Sequence, residues 1–212
     1  MDELYQELKN AVITGEEEVV VSLVEKALAQ SAPPEEILSK GLIAGMDVVA
    51  VEFKNGDMYV PEVLVAARSM QAGNDLLKPL LAQTGSSEKK STIVIGTVKG
   101  DLHDIGKKIV AMMLEGAGFE VIDIGIDVPV EKFIDSIKET GADIVAMSAL
   151  LTTTMPAMID VIEAMKEEGY CEKTSVMVGG APVSDKYAKE IGAHYAYDAG
   201  AAVELAKNIT PR

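Results

Sequence analysis

The chain has 212 residues, of which 48% are hydrophobic and 25% charged, and this ordinary globular composition excludes an intrinsically disordered protein. Its 34 acidic and 19 basic residues give a formal net charge of −15, the wrong sign for binding the phosphate backbone of nucleic acid. No apolar stretch reaches the roughly 18 residues of a membrane span, and the acidic amino terminus is unlike a secretory signal. The single cysteine, Cys171, cannot form a disulfide within the chain, which is typical of a reducing compartment. We therefore expect a cytoplasmic protein with neither nucleic acid nor membrane as partner.

The first third of the chain carries helical periodicity only. Thr14 and Glu17 have the spacing of a capping box, and Pro33 and Pro34 later interrupt the pattern. Apolar residues recur at helical intervals in the stretches 20–28, 38–53 and 63–81. Together with the amino-terminal stretch, they predict a bundle of four helices.

A polar segment follows this helical region. Residues 83–91 read QTGSSEKKS, which lacks periodicity and contains a Gly-Ser-Ser run typical of a flexible linker. We therefore expect a domain boundary here, with a helical bundle domain over residues 1–85 and a second domain over residues 86–212.

After the linker, short β-branched runs alternate with longer helical patterns. The predicted strands cover residues 92–97, 120–124, 143–147, 175–178 and 195–197. The predicted helices cover residues 105–117, 130–139, 155–168, 185–191 and 199–208. This alternation predicts an α/β domain with a doubly wound, five-stranded parallel sheet covered on both faces. Ligands of such sheets lie at the carboxyl ends of the strands, so we expect the site in the loops that follow them.

The loop after the first predicted strand reads VKGDLHDIG, residues 98–106. It combines glycines that allow close approach of the backbone with polar side chains at the start of a helix: Gly100, Asp101, His103, Asp104 and Gly106. Taken alone, this segment is more typical of a capped helix start with a surface histidine than of a ligand site.

Two further loops have an unusual composition. Residues 148–155, SALLTTTM, follow the third predicted strand, and a helix N-cap would use only one of their hydroxyl groups. The hydroxyl-bearing residues are Ser148, Thr152, Thr153 and Thr154. After the fourth predicted strand, the adjacent Gly179 and Gly180 remove side chains from the strand end, although an ordinary turn has the same composition.

Together the three loops resemble the cobalamin-binding signature of the methionine synthase and methylmalonyl-CoA mutase type. The family pattern D-x-H-x-x-G, S-x-L and G-G matches Asp101, Leu102, His103, Asp104, Ile105 and Gly106, then Ser148 and Leu150, then Gly179 and Gly180. The spacers, residues 107–147 and 151–178, have the lengths of the family. A helical bundle ahead of such a flavodoxin-type, Rossmann-like domain is similar to the small corrinoid proteins of methanogen and acetogen methyltransferase systems, and this likeness covers nearly the whole chain.

The resemblance implies a cobalamin or related corrinoid whose cobalt is bound base-off and His-on. His103 would be the metal ligand that replaces the benzimidazole of the cofactor, Asp101 would hold its second nitrogen, and Thr154 would complete this catalytic relay. Ser148 would bond the displaced benzimidazole. Further positions implied to contact the cofactor or to leave room for its nucleotide tail are Leu102, Asp104, Ile105, Gly106, Leu150, Thr152, Gly179, Gly180, Ala181, Tyr197 and Ala199.

The same resemblance implies that the bundle shields the reactive face of the corrin. The segment 56–61, GDMYVP, together with Met46 and Met70, would form an apolar cap. We expect His194, the other histidine of the chain, to be structural.

The implied function is that of a corrinoid methyl carrier. One methyltransferase would move a methyl group onto Co(I) from an aryl methyl ether, a methylamine, betaine or methanol. A second would pass it to tetrahydrofolate or a thiol, and a reductive activator protein would restore Co(I). We expect a non-autonomous subunit, because the two domains leave no residues for the barrel that such partners commonly supply.

Other functions stay open on the sequence alone. A cobalamin-binding sensor or regulatory protein is the alternative, although this acidic chain shows no basic helix for DNA. The cobalamin domain of a mutase would not need the bundle. A receiver-like signalling domain would need an aspartate where Ser148 stands.

Overall fold

The computed structural model describes residues 1–84 and 91–210. The described residues fall into two compact units, the first within Met1–Lys90 and including Gly116–Gly118, the second within Ser91–Glu115 and Phe119–Arg212. The predicted boundary between residues 85 and 86, and most of the predicted linker, lie outside the described residues.

The first unit is helical throughout its described elements. These are α1 (Asp2–Thr14), α2 (Glu17–Ala29), α3 (Pro34–Glu36), a π-helical stretch (Ile37–Ile43), α4 (Ala44–Asn55) and α5 (Val60–Thr84). Because α3, the π-helical stretch and α4 follow one another without a break, they correspond to the single helix predicted around residues 38–53. The helical region predicted for the first third of the chain is confirmed.

The predicted capping box at Thr14 and Glu17 is wrong. Thr14 is the last residue of α1, where its hydroxyl donates to the carbonyl oxygen of Asn10 at 3.0 Å. Gly15, with φ of 72°, ends α1 in the left-handed conformation, and Glu16 is the N-cap of α2 without a side-chain cap bond. Thr14 does not cap α2, because it belongs to α1, where its hydroxyl is used, and Glu16 occupies the N-cap position of α2.

The second unit alternates strands with helices as predicted. Its strands are β1 (Thr92–Thr97), β2 (Glu120–Asp123), β3 (Ile144–Ser148), β4 (Ser175–Gly179) and β5 (His194–Tyr195). Its helices are α6 (Ile105–Gly116), α7 (Val130–Thr140), α8 (Pro156–Glu167), α9 (Asp185–Ile191) and α10 (Ala199–Ile209). The fifth strand differs most from its prediction, since it spans two residues and begins one residue earlier.

Among the described residues, the strands form one parallel sheet in the order β2-β1-β3-β4-β5. This order confirms the predicted doubly wound architecture of the flavodoxin type, with its switch point at the neighbouring strands β1 and β3. Apolar side chains fill the space between the sheet and its helices, with Phe133, Met158 and Met165 fully buried. None of the helices in the described ranges combines the length and apolar character that a membrane span requires.

The sheet register brings the three sequence motifs to one level. Thr97, the last residue of β1, pairs with Ser148, the last residue of β3, and Ser148 pairs with Gly179, the last residue of β4. The loops that follow these strands therefore leave the sheet side by side, although they are separated by tens of residues in the chain.

Candidate functional site

A buried aspartate joins two of these loops. Asp101 follows β1, and its side chain is fully buried. Its Oδ1 accepts the backbone N–H of His103 at 3.1 Å and lies 2.6 Å from Nδ1 of the same residue. Its Oδ2 accepts the backbone N–H groups of Leu150 and Leu151 at 2.7 and 3.3 Å and lies 2.8 Å from Oγ1 of Thr154. One carboxylate thus ties the histidine loop to the loop after β3.

These contacts keep Asp101 ionised. Burial on its own works to raise the pKa of Asp101, but the N–H of Leu150, the imidazole and N–H of His103 and the hydroxyl of Thr154 together hold it well below its usual range. An ionised carboxylate only accepts hydrogen bonds, so the ring proton of His103 belongs on Nδ1. The lone pair of Nε2 is then available to a metal ion.

The imidazole of His103 is presented outward from a fixed backbone. Its side chain is 51% exposed, and no described residue hydrogen-bonds to Nε2. The buried hydroxyl of Thr97, at the end of β1, donates to the carbonyl oxygen of His103 at 2.8 Å and so ties the loop to the strand. The geometry therefore offers one nitrogen ligand on a rigid support.

The surface around His103 suits a large, partly apolar ligand. Leu102 and Ile105 are 68% and 76% exposed, although such side chains are usually buried. A Cβ added at Gly106 would meet nothing within 4 Å, so open space lies beside the backbone there. A single imidazole nitrogen amid exposed apolar side chains fits a metal that brings its other ligands in a macrocycle, as a corrinoid does.

The glycines at the end of β4 are required by their neighbours. Gly180 has φ of 126°, and a Cβ there would lie 1.9 Å from the carbonyl oxygen of Ala149. A Cβ at Gly179 would lie 2.9 Å from the carbonyl oxygen of Ala196. The close packing of three backbone segments keeps side chains away from this strand end, next to the half-buried Ser148.

The structure places the remaining predicted residues in varied surroundings. Thr154 is buried against Asp101, whereas Thr152 and Thr153 are exposed. Ala181 and Tyr197 are exposed, but Ala199 is buried in the first turn of α10. Asp104 forms an ion pair with Lys108, which lowers its pKa. Met46 and Met70, in the helical unit, are both buried. His194, in β5 of the second unit, is exposed.

Sequence reasoning missed three supporting residues of this site. Lys107 and Asp123 form an ion pair between α6 and the end of β2, and Asp127 hydrogen-bonds to the loop that carries His103. The pattern Asp123-x-Gly125-x-Asp127, which spans the end of the predicted strand 120–124, was the available signal, because ligands of this fold lie at the carboxyl ends of strands.

Comparisons with known proteins match both parts of the chain. A family model described as a B12 binding domain matches residues 91–206, and a second B12 binding domain model matches residues 4–78. Dimethylamine corrinoid protein 1 of Methanosarcina acetivorans is 50% identical over 209 residues, which are 98% of each chain. The dimethylamine corrinoid protein of Methanosarcina barkeri is 49% identical over the same length and the same shares.

The fold is also found in a solved structure. The methanol:cobalamin methyltransferase complex of Methanosarcina barkeri contains a chain that superposes with a TM-score of 0.87 at 30% identity, covering 98% of this chain and 80% of that one. The chain therefore belongs to the family of corrinoid proteins that carry both B12-binding domains.

Proposed function

We propose that this protein is the corrinoid methyl carrier of a methylamine-type methyltransferase system, with His103 as the residue that would ligate the metal of a base-off corrinoid. The observation that carries this proposal is the fully buried Asp101, which holds Nδ1 of His103 at 2.6 Å while the imidazole is half exposed. A surface histidine used only for solubility would not need a buried, multiply bonded carboxylate behind it.

Different residues of the chain would hold different parts of the corrinoid. When bound, the corrinoid supplies a cobalt centre that takes up and gives away a methyl group. His103 offers Nε2 to that metal, and Asp101 keeps the ring in the tautomer that leaves this nitrogen unprotonated. Ser148, at the end of β3, would bond to the displaced benzimidazole. Gly179 and Gly180, at the end of β4, would leave room for the nucleotide tail.

The contacts of Asp101 hold the imidazole whether or not a metal is bound. Oδ1 of Asp101 lies 2.6 Å from Nδ1 of the ring without any metal at Nε2. Thr154 remains bonded to Oδ2 in either state, so the carboxylate need not move. Asp101 would thus support His103 both with and without a bound metal.

The names of the relatives support a methylamine as the methyl donor. Those that share 49–50% of their residues over nearly their whole length are named for dimethylamine. We assign a methylamine as donor, delivered by a methyltransferase of matching specificity, with a second methyltransferase passing the methyl group to a thiol or tetrahydrofolate. A reductive activator protein would keep the bound cofactor competent.

Isotope labelling tests the ligand assignment directly. Protein labelled with ¹⁵N is loaded with cobalamin of natural isotopic composition, reduced to Co(II) and examined by paramagnetic resonance. Coordination by His103 gives a doublet splitting from ¹⁵N, whereas a retained benzimidazole gives a triplet from ¹⁴N. His103→Ala should abolish the doublet and His194→Ala should keep it. A triplet in the unaltered protein would refute the His-on assignment.

The donor is tested separately. The cobalamin-loaded, reduced protein is mixed with methyltransferases specific for monomethylamine, dimethylamine, trimethylamine or methanol, each with its substrate, and methylation is followed by visible absorption. Fast methylation with the dimethylamine enzyme, and slow methylation with the methanol enzyme, is the expected result. Preference for the methanol enzyme would overturn the methylamine assignment while leaving the carrier function intact.

A further inference from the structure

Asp127 adopts a backbone conformation that few residues other than glycine tolerate. It lies in the loop between β2 and α7 with φ of 49°. Aspartate and asparagine visit this left-handed region at some cost, whereas glycine does so freely. A backbone requirement alone would thus be met best by glycine, so the carboxylate of Asp127 needs another explanation.

The contacts of Asp127 supply that explanation. Its Oδ1 accepts the backbone N–H of Gly100 at 2.7 Å, and its own N–H donates to the carbonyl oxygen of Asp101 at 2.9 Å. Gly100 itself is in the left-handed region, with φ of 84°. Asp127 therefore contacts the two peptide groups that flank the Gly100–Asp101 bond, through the N–H of Gly100 and the carbonyl oxygen of Asp101.

Asp101 is consequently hydrogen-bonded to two other loops. Its side chain is bonded to the loop after β3, through Leu150 and Thr154, and its backbone is bonded to the loop after β2, through Asp127. Parallel pairing of Val98 with Val128 brings the β1 and β2 loops together just before these contacts. The residue that orients the imidazole is thus fixed relative to three neighbouring strands.

We propose that Asp127 is a positioning residue, which fixes the backbone on either side of the Gly100–Asp101 bond so that His103 is held in one orientation toward a ligand. This inference rests on the proposed function for the identity of the ligand, but the bracing itself concerns the protein alone. Asp127 would touch neither the corrinoid nor the metal; it acts through Asp101. Its carboxylate is the group that makes the difference, since glycine would supply the turn without the bond to Gly100.

Two substitutions in the full chain separate the backbone from the side chain. Asp127→Gly removes the acceptor and relieves the left-handed conformation, whereas Asp127→Asn keeps a side-chain oxygen and tolerates the same φ. In cofactor-free protein, amide exchange at Gly100 should rise roughly five-fold in Asp127→Gly, the factor that a hydrogen bond of ordinary net strength gives. In Asp127→Asn it should stay close to that of the unaltered protein.

A spectroscopic measurement then tests the consequence for His103. After loading with cobalamin and reduction to Co(II), Asp127→Gly should show a broadened or mixed axial-nitrogen splitting, and Asp127→Asn the single form of the unaltered protein. Unchanged Gly100 exchange and splitting in Asp127→Gly, or equal behaviour of the two variants, would overturn the proposal. If the unaltered protein lacks histidine coordination, the proposed function fails, but Gly100 exchange still decides whether Asp127 braces the loop.

Discussion

Two acid–base pairs at the carboxyl edge of the sheet have opposite patterns of burial. In the pair Asp101–His103 the acid is fully buried and the base is 51% exposed. In the pair Asp123–Lys107 the side chain of the base is 1% exposed and that of the acid is 33% exposed. In each pair the buried member anchors the contact and the exposed member faces outward. Only in the first is that outward member a nitrogen with a free lone pair.

The pairs also differ in how the buried member is supported. Asp101 accepts hydrogen bonds from Leu150, Leu151 and Thr154 in addition to His103. Within the described residues, the contact of the Lys107 ammonium is with Asp123. Loss of the exposed partner should therefore leave Asp101 well bonded and Lys107 stranded. The first pair can lose its outward member without leaving a buried charge unpaired, whereas the second ties α6 to β2 through a buried ammonium.

The largest effect is expected when Asp123 is removed. Asp123→Ala strands the buried ammonium of Lys107, and breaking a buried ion pair in this way lowers the free energy of unfolding by about 3 kcal/mol. Urea denaturation of the cofactor-free protein measures the loss. Lys107→Met is the matched control and should cost only about 1 kcal/mol, because an apolar side chain suits the buried position. Equal losses in the two variants would contradict the stranding argument.

The next effect concerns the orientation of His103. In Asp101→Asn, the side-chain oxygen keeps the N–H of Leu150, so the amide N–H₂ faces Nδ1 and moves the ring proton to Nε2. The affinity of the metal for the histidine should fall about 10- to 100-fold. Titration of the cofactor-free protein with cobalamin, followed by visible absorption, measures it. Asp185→Asn, in an exposed ion pair of α9, serves as control and should bind normally. If Asp101→Asn bound cobalamin as tightly as the unaltered protein, the carboxylate would have no role in orienting His103 for the metal.

A smaller effect is expected from pH. The contacts of Asp101 lower its pKa in the folded protein below the unfolded value, so its stabilisation is present above the unfolded pKa and is lost as pH falls through the folded pKa. With an unfolded pKa of about 3.9, the contribution should shrink by about 1 kcal/mol between pH 7 and pH 3. The difference in urea stability between the unaltered protein and Asp101→Asn, measured across this range, isolates it from the other carboxylates. A difference that stays constant with pH would show that the pKa is not lowered.

The smallest effect is expected on stability when His103 is removed. His103→Ala should lower the free energy of unfolding by only about 0.5 kcal/mol, because the side chain is half exposed and Asp101 keeps its other donors. Measured beside Asp123→Ala, it gives the sharpest form of the comparison between the pairs. If His103→Ala lowered the free energy of unfolding as much as Asp123→Ala does, the main role of His103 would be to stabilise the fold.

Much of the fold was predictable because it depends on local patterns. The strand at residues 92–97 and the helix at residues 185–191 begin and end where their patterns do. The capping box failed because Thr14 belongs to the preceding helix, a choice made by the position of Gly15. The last strand was predicted too long, because its two residues are set by pairing with Met177 and Val178 of β4.

The candidate site was predictable in its members but not in its geometry. The linked motifs pointed to Asp101, His103 and Thr154, and the structure places these side chains in one hydrogen-bonded chain. Their roles toward a corrinoid stay predictions. Asp127 was missed because its partner, Gly100, lies 27 residues away, and its importance shows only in a positive φ and a long-range bond.

By itself the sequence determined the order of helices and strands and the residue types available at each strand end, since periodicity and motif spacing are properties of neighbouring residues. Only the tertiary structure decided which of those polar groups are buried and which face outward. Asp101 is buried because donors from the loop after β3, 49 residues along the chain, surround it. Parallel pairing of strands distant in sequence creates that environment, and it leaves the imidazole of His103 as the exposed end of the pair.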